Sequence, residues 1–153
     1  MDAKKYAPFV DAFAEILPQL GFQAVKRGNL SLKEKLMATR DITAIVGLTK
    51  KIRGNVAYGM AEDTAKNIAS IMMGGMPVEN FDEMAQSAIS ELANMVTANA
   101  AISLENIGLE TNISPPTLVV GKNITARISQ VKSLMVEIIT EAGSIEINIG
   151  LEI

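Results

Sequence analysis

The sequence contains no cysteine and no histidine. These absences exclude thiolate chemistry, imidazole acid–base catalysis and the usual sulfur and nitrogen ligands of zinc and copper. Any catalysis by this chain therefore has to use carboxylates, amides, hydroxyls or lysines. The absence of cysteine also agrees with a reducing compartment.

The sequence also lacks a block of like charges and a long apolar run. Lys and Arg together number 14 against 17 Asp and Glu, a net charge of −3, so the basic surface that nucleic-acid binding needs is missing. No segment approaches the ~20 apolar residues that span a bilayer, and the opening MDAKKYAPF lacks an apolar run followed by a small-residue cleavage site. We therefore expect a cytoplasmic protein that binds neither nucleic acid nor membrane.

What the chain does contain is enough apolar material for one core. It has 153 residues, of which 48% are apolar, and this predicts one globular domain over residues 1–153 rather than two.

Three segments have the three- and four-residue apolar spacing of amphipathic helices. The first spans about residues 6–20 and ends at Gly21, and the second spans 62–73 and ends at two glycines. The longest begins at Asp82 and ends at Gly108. Its predicted buried face consists of Ile89, Leu92, Val96, Ala100, Leu104 and Ile107.

Between and after these helices the pattern changes to that of strands. Residues 42–49 and 55–60 predict a hairpin, preceded by a polar stretch over 26–40. The predicted strands of the second half are 117–120, 132–140 and 144–153, the last two joined by a tight turn. This order predicts an α+β fold with a mostly antiparallel sheet covered by helices.

The outer face of the longest helix carries an acid and an amide on a stripe of small residues. At ~100° per residue, Ser87, Glu91 and Asn94 form one row, which continues into Ala98 and Ala101. One interpretation is an ordinary solvent face, where alanines, acids and amides are routine. The other is a stripe bare enough for the backbone of a partner protein to come close.

The first helix carries a similar row. Asp11, Glu15 and Pro18 form D-x-x-x-E-x-x-P, which matches S-x-x-x-E-x-x-N in the longest helix. The match is compatible with an internal repeat. Pro18 stands where the second row has its amide, and proline has no side-chain donor or acceptor, so if the second row is catalytic the first is predicted to be silent.

Several segments together resemble a known family. The run ELANM at Glu91–Met95, preceded by Ser87 and followed by Pro115 and Pro116, resembles the signature of the CheC/CheX/FliY phosphatases of bacterial and archaeal chemotaxis. The segments ITAIVGLTKKIRGNVAYGMAEDTAKNIASIMMGG and NISPPTLVVGKNI resemble the hairpin-and-helix and the strand entry of the CheX branch.

The resemblance implies a phosphatase that acts on the aspartyl phosphate of a CheY-type response regulator. Asn94 would orient the attacking water, and Glu91 would pair with a lysine of the regulator. Ser87, Met95 and Ala98 would contact the regulator. No cofactor of its own is expected, because Mg²⁺ would be supplied in the regulator's site. The chemistry is consistent, since such a site lacks only a fixed nucleophile and an amide can hold a water.

Alternatives remain for individual residues and for the function. Ser87 can equally be an ordinary residue of the helix surface, and Met95 can belong to the core. Asn99 lies off the row and is interpreted as a structural amide. The main functional alternative is a non-catalytic module that binds a response regulator or flagellar-switch proteins. An unrelated small-molecule enzyme has no motif to support it.

The resemblance also implies a homodimer joined through β-strand edges. The segments SLMVEIIT and SIEINIGLEI are expected to supply long apolar edges for this contact.

Overall fold

Three helices cover one face of an antiparallel sheet in the computed structural model, which describes residues 3–33, 36–121, 124–130 and 132–152. The helices are α1 (Ala3–Gln19), α2 (Glu62–Met72) and α3 (Glu83–Asn106). The strands are β1 (Val25–Lys33), β2 (Leu36–Ala38), β3 (Ile42–Lys50), β4 (Arg53–Met60), β5 (Thr111–Ile113), β6 (Thr117–Val120), β7 (Thr125–Arg127), β8 (Ser133–Thr140) and β9 (Gly143–Glu152). The predicted α+β architecture is confirmed.

The strand order is symmetric about the β4–β9 pair. The main sheet runs β1-β8-β9-β4-β3, and β5 and β6 both pair with the outer side of β3. The two remaining strands, β2 and β7, pair with each other. The first half of the chain thus supplies helix α1 and the four strands β1–β4, and the second half supplies helix α3 and the strands β5–β9. Across the sheet, the strands of the second half take the reverse order of those of the first half. This arrangement supports an internal repeat.

The ends of α1 and α3 show which residues of the two halves correspond. Each helix ends at a glycine of positive φ, Gly21 at 106° and Gly108 at 83°. After the first glycine, the Phe22 amide donates to the Leu17 carbonyl at 3.1 Å, and after the second, the Leu109 amide donates to the Leu104 carbonyl at 2.9 Å. This is the helix ending that glycine favours, and both predicted stops are confirmed.

Aligning these two ends changes the predicted match between the helices. The glycines are 87 positions apart (108 minus 21), so Asn94 corresponds to Ala7 and Glu91 to Lys4. The sequence match had paired Asn94 with Pro18, 76 positions away (94 minus 18). That pairing is wrong by 11 positions, which is about three full helical turns, so both alignments place the same helix face outward.

The core lies between the helices and one face of the main sheet. Alternate side chains of β3, such as Ile42, Val46 and Leu48, are buried toward the helices, whereas Ile45 packs on the β2–β7 side. Buried side chains of α1 and α3 complete the helical side: Tyr6, Phe9, Phe13, Ile16, Leu17, Ile89, Leu92, Val96, Ala100 and Leu104. The predicted core position Ile107 is instead 53% exposed, because α3 ends at Asn106 and the chain turns away.

Four strands have no counterpart in the sequence prediction. Residues 26–40, predicted only as a polar stretch, contain β2 and all of β1 except its first residue, and the short strands β5 and β7 were also missed. The hairpin of β3 and β4, strand β6 and the hairpin of β8 and β9 agree with the predicted segments.

The expectation that the last two strands offer free edges is wrong. Strand β8 lies between β1 and β9, and β9 lies between β8 and β4, so both edges of each are paired within the chain. Among the described strands, β1 forms the end of this side of the sheet. None of the described helices is long and apolar enough to cross a membrane.

Candidate functional site

Helix α3 begins at the predicted residue and is fixed there by its own side chain. The Asp82 carboxylate accepts a hydrogen bond from the Ala85 amide at 3.0 Å, as an N-cap should. Glu83 adds a second negative charge in the first turn, which the helix dipole favours. The start of the row that contains Glu91 is therefore set locally by the sequence.

The row lies on the outward side of α3, as its spacing predicts. Ser87 and Glu91 are exposed, and Asn94 and Ala98 are half-buried. Met95 is half-buried and packs against the core, which agrees with its structural interpretation. Asn99 is also half-buried.

The side chains of Glu91 and Asn94 make no hydrogen bond or ion pair with any other residue that the structure describes. An exposed acid and a half-buried amide without intramolecular partners are available to a partner molecule. The geometry thus keeps both interpretations of the row open, a solvent face and a contact face.

The segment between β5 and β6 forms a second wall beside α3. It contains Pro115 and Pro116, which have no N–H and therefore interrupt pairing along the edge of β3. Ser114 fixes this segment, because its amide donates to the Gly47 carbonyl at 2.9 Å and its hydroxyl accepts from the Gly47 amide at 2.8 Å. The two prolines of the motif are thus held across from α3.

Between these walls lies an open cleft of about 790 Å³. Its lining brings together the acid, the amide and the prolines of the motif: Glu83, Gln86, Ser87, Ser90, Glu91, Asn94, Ile113, Ser114, Pro115, Pro116 and Leu118. Met95 and Ala98 do not line it. Ser114, Gln86 and Ser90 were not predicted, because nothing in their local sequence shows that β5 and β6 return beside α3.

The charge of the cleft is negative. Two carboxylates, Glu83 and Glu91, line it, and none of its lining residues is a lysine or arginine. In the described part of the chain no cluster of three or more acidic side chains is arranged to hold a metal ion. The cleft therefore suits a cationic group of a partner better than a free anion.

A second groove of about 600 Å³ lies between α1 and β1. It occupies the corresponding place in the other half, with Ala7 and Tyr6 on the helix and Val25 and Leu30 on the strand. Asp11 lines it, whereas Glu15 and Pro18 do not, and the position matching Asn94 is an alanine. The α1 groove thus lacks an acid–amide pair, in line with the prediction that the first helix is silent.

Comparison with known proteins identifies the family. The family model described as "Chemotaxis phosphatase CheX" matches residues 42–139. The chain is 32% identical over 124 residues to the CheY-P phosphatase CheX of Thermotoga maritima, covering 81% of this chain and 80% of that protein.

Solved structures give the same result at the level of the fold. A CheC-like superfamily protein from Shewanella superposes with a TM-score of 0.86 at 27% identity, covering 99% of each chain. The crystal structure of a CheX–CheY–BeF₃–Mg²⁺ complex from Borrelia burgdorferi matches with a TM-score of 0.78 at 23% identity, covering 97% of each chain. On its sequence, its sheet order and these matches, the chain belongs to the CheX family of chemotaxis phosphatases.

Proposed function

We propose that this protein hydrolyses the aspartyl phosphate of a CheY-type response regulator and so ends a chemotaxis signal. The proposal rests on family membership, since a relative with 32% identity is a CheY-P phosphatase. The motif that carries the resemblance is intact, and its acid, amide and prolines line one cleft. A cytoplasmic location follows from the proposal, because CheY-type regulators act there.

The charge of the cleft agrees with this proposal, because none of the residues that line the cleft is a lysine or arginine. A site that hydrolysed a free phosphate ester would need positive charge to stabilise the phosphoryl group in the transition state. A phosphorylated regulator supplies that charge itself, through its own Mg²⁺ and its own lysine. A relative of the same fold has been solved with CheY, beryllofluoride and Mg²⁺ together.

What this chain contributes is a positioned nucleophile. The Asn94 amide can accept a hydrogen bond from a water and donate one through its NH₂ group. Held by the amide in line with the aspartyl–phosphate bond, the water attacks phosphorus, and the bond to the aspartyl oxygen breaks. Inorganic phosphate leaves and the regulator's carboxylate is regenerated. Positioning of this kind supplies a large share of the rate in phosphoryl transfer.

Glu91 has a different role in this proposal. It lies one helical turn before Asn94, it is exposed, and it has no partner within the described residues. A carboxylate at that place can pair with the lysine beside the regulator's phosphoryl group. The pair orients the regulator so that Asn94 enters its site.

The alternative is a binding module that holds the regulator without acting on it. Such a module needs only a docking face, whereas hydrolysis also needs a group that can hold a water. The presence of Asn94 in the cleft beside Glu91 favours the phosphatase.

The experiment that tests the proposal uses a panel of CheY-type regulators phosphorylated with acetyl phosphate in the presence of Mg²⁺. The protein is added to each, and release of inorganic phosphate is followed. We expect faster release with at least one regulator and none from acetyl phosphate alone. Binding to a regulator without acceleration of any would favour the binding module instead.

We also propose a homodimer, joined through the outer edge of β1. This strand ends the main sheet, and Leu30 and Leu32 on it are 51% and 57% exposed. An unpaired strand edge with exposed leucines is a surface that a second copy can cover. This contact replaces the one expected on β8 and β9.

A further inference from the structure

The outer face of α3 carries two large apolar side chains that the core does not use. Met84 is 65% exposed and Ile102 is 60% exposed. At ~100° per residue, each lies only about 20° around the helix from Glu91, Met84 seven positions before it and Ile102 eleven after it. Both therefore point in the direction of the proposed catalytic row.

We infer that Met84 and Ile102 are the apolar anchors that hold the regulator on α3, an inference that rests on the proposed function. They flank the acid and the amide on either side. At ~1.5 Å per residue, Met84 and Ile102 are about 27 Å apart along the helix, which is close to the diameter of a small domain. A receiver domain centred on Glu91 and Asn94 spans this distance and covers both side chains.

The residues between the anchors allow such a close approach. Outward positions between Met84 and Ile102 carry Ser87, Ala98 and the two polar groups of the proposal. Met95, about 40° around the helix from Glu91, is half-buried against the core and so stands out less than the two anchors. Protein–protein interfaces concentrate most of their binding energy in a few well-buried side chains. Flexible methionine is common in such contacts, because it adapts to the surface it meets.

The first helix provides a comparison within the same chain. Its outward positions are Ala7, Asp11, Ala14, Glu15 and Pro18, and none is a large exposed apolar residue. Helix α1 has 17 residues against 24 in α3, so it is also shorter than the proposed footprint. Both the anchors and the acid–amide pair are thus found on α3 alone.

The test combines Met84→Ala and Ile102→Ala, singly and together, with Ile107→Ala as the matched control. Ile107 is 53% exposed, and it is the C-cap residue just past the end of α3, where the chain turns away from the row that contains Glu91. Alanine preserves helix propensity, and all three residues are outside the core. Three quantities are measured with the regulator of the panel that binds the wild type most tightly. They are the Kd for that regulator loaded with beryllofluoride and Mg²⁺, and kcat and KM for the release of phosphate from its phosphorylated form.

We expect the double variant to raise Kd and KM roughly tenfold or more, with kcat unchanged and with Ile107→Ala like the wild type. Wild-type Kd and KM in the double variant would overturn the inference while leaving the phosphatase proposal intact. A wild-type protein that binds the regulator but releases no phosphate would overturn the proposed function. In that case the anchors are still judged by Kd alone.

Discussion

The hydroxyls of Tyr58 and Thr97 lie 2.6 Å apart in the core, directly beneath the outer face of α3. Thr97 donates its proton to the Ala93 carbonyl at 2.7 Å, so Tyr58 is the donor to Thr97. Burial raises the pKa of Tyr58 far above its ordinary value, and the phenol therefore keeps its proton at working pH. This chain of hydrogen bonds ties α3 to strand β4 one turn after Asn94.

A double-mutant cycle on this pair is expected to be strongly non-additive. Thr97→Val leaves the buried Tyr58 hydroxyl without an acceptor and should cost about 1–3 kcal/mol of unfolding free energy. Tyr58→Phe removes only the donor and should cost about 1 kcal/mol. The double variant replaces both polar groups by apolar ones and should be no less stable than Thr97→Val. Urea unfolding of the four proteins measures the coupling, and additive costs would contradict the hydrogen bond.

The helices and two hairpins could be predicted because the residues that determine them are close together in the sequence. Gly21 and Gly108 mark helix ends by their own backbone preference, and the spacing of apolar residues gives the buried faces. Strand β1 could not be predicted, because it pairs with β8 more than a hundred residues later and a register shift between Arg27 and Leu30 breaks its alternation. Three-residue strands such as β5 are too short to show a period at all.

The candidate site was predictable in part for the same reason. Glu91 and Asn94 share a helix face, which follows from their spacing alone. The opposite wall depends on Ser114 binding to Gly47, a contact between residues 67 positions apart. Nor could the sequence show that β8 and β9 are interior strands, since that depends on which strands pair.

The connection between α1 and β1 predicts a dependence of stability on pH. The Glu141 carboxylate accepts hydrogen bonds from the amides of Ala24 and Gln23, at 2.9 Å and 2.7 Å, and these hold its pKa below the ordinary value of 4.5. Because the folded state favours the ionised form, this stabilisation is full above pH 4.5 and is lost as the pH falls through the lowered pKa.

Glu141→Gln should therefore lower the urea midpoint at neutral pH, and the difference from wild type should shrink as the pH falls below 4.5. Urea unfolding of both proteins at neutral pH and at several acidic values checks this. Glu105→Gln removes an exposed carboxylate with no hydrogen bond to the described residues and serves as the control. A difference that stayed constant with pH would mean that the two amide contacts do not favour the charged form.

Asn94→Ala should abolish most of the phosphatase activity and leave folding and, largely, regulator binding intact. Loss of about 1 Å of positioning can cost on the order of 10²-fold in rate, and this change removes the positioning group altogether. Asn99→Ala, which removes an amide off the row of the same helix, is the matched control. Glu91→Ala differs in kind, because it removes a charged contact and should weaken binding and rate together. Phosphate release at the wild-type rate by folded Asn94→Ala would show that the amide has another role.

The proposed dimer predicts a mass of twice 16.3 kDa by light scattering at micromolar concentration. Leu32→Lys places a charge on the strand that forms the proposed interface and should shift the protein toward the monomer. Val120→Lys is the control, because Val120 is 55% exposed on β6, at the opposite end of the sheet. A wild-type protein with the mass of a monomer would contradict the proposal. If Val120→Lys caused dissociation and Leu32→Lys did not, the interface would lie at the β6 edge of the sheet instead.

The first helix should contribute nothing to hydrolysis, although its row contains Asp11 and Glu15. The positions that correspond to Glu91 and Asn94 are Lys4 and Ala7, which supply neither an acid nor an amide. Glu15 lies outside the groove beside α1, and Asp11, which lines that groove, has an alanine rather than an amide three positions later. Glu15→Ala should therefore leave phosphate release nearly unchanged, and Glu15→Ala combined with Asn94→Ala should be no worse than Asn94→Ala alone. Initial rates with saturating phosphorylated regulator decide this. A marked loss from Glu15→Ala, in protein that circular dichroism and sizing report as folded and correctly assembled, would mean that each chain has two working sites rather than one.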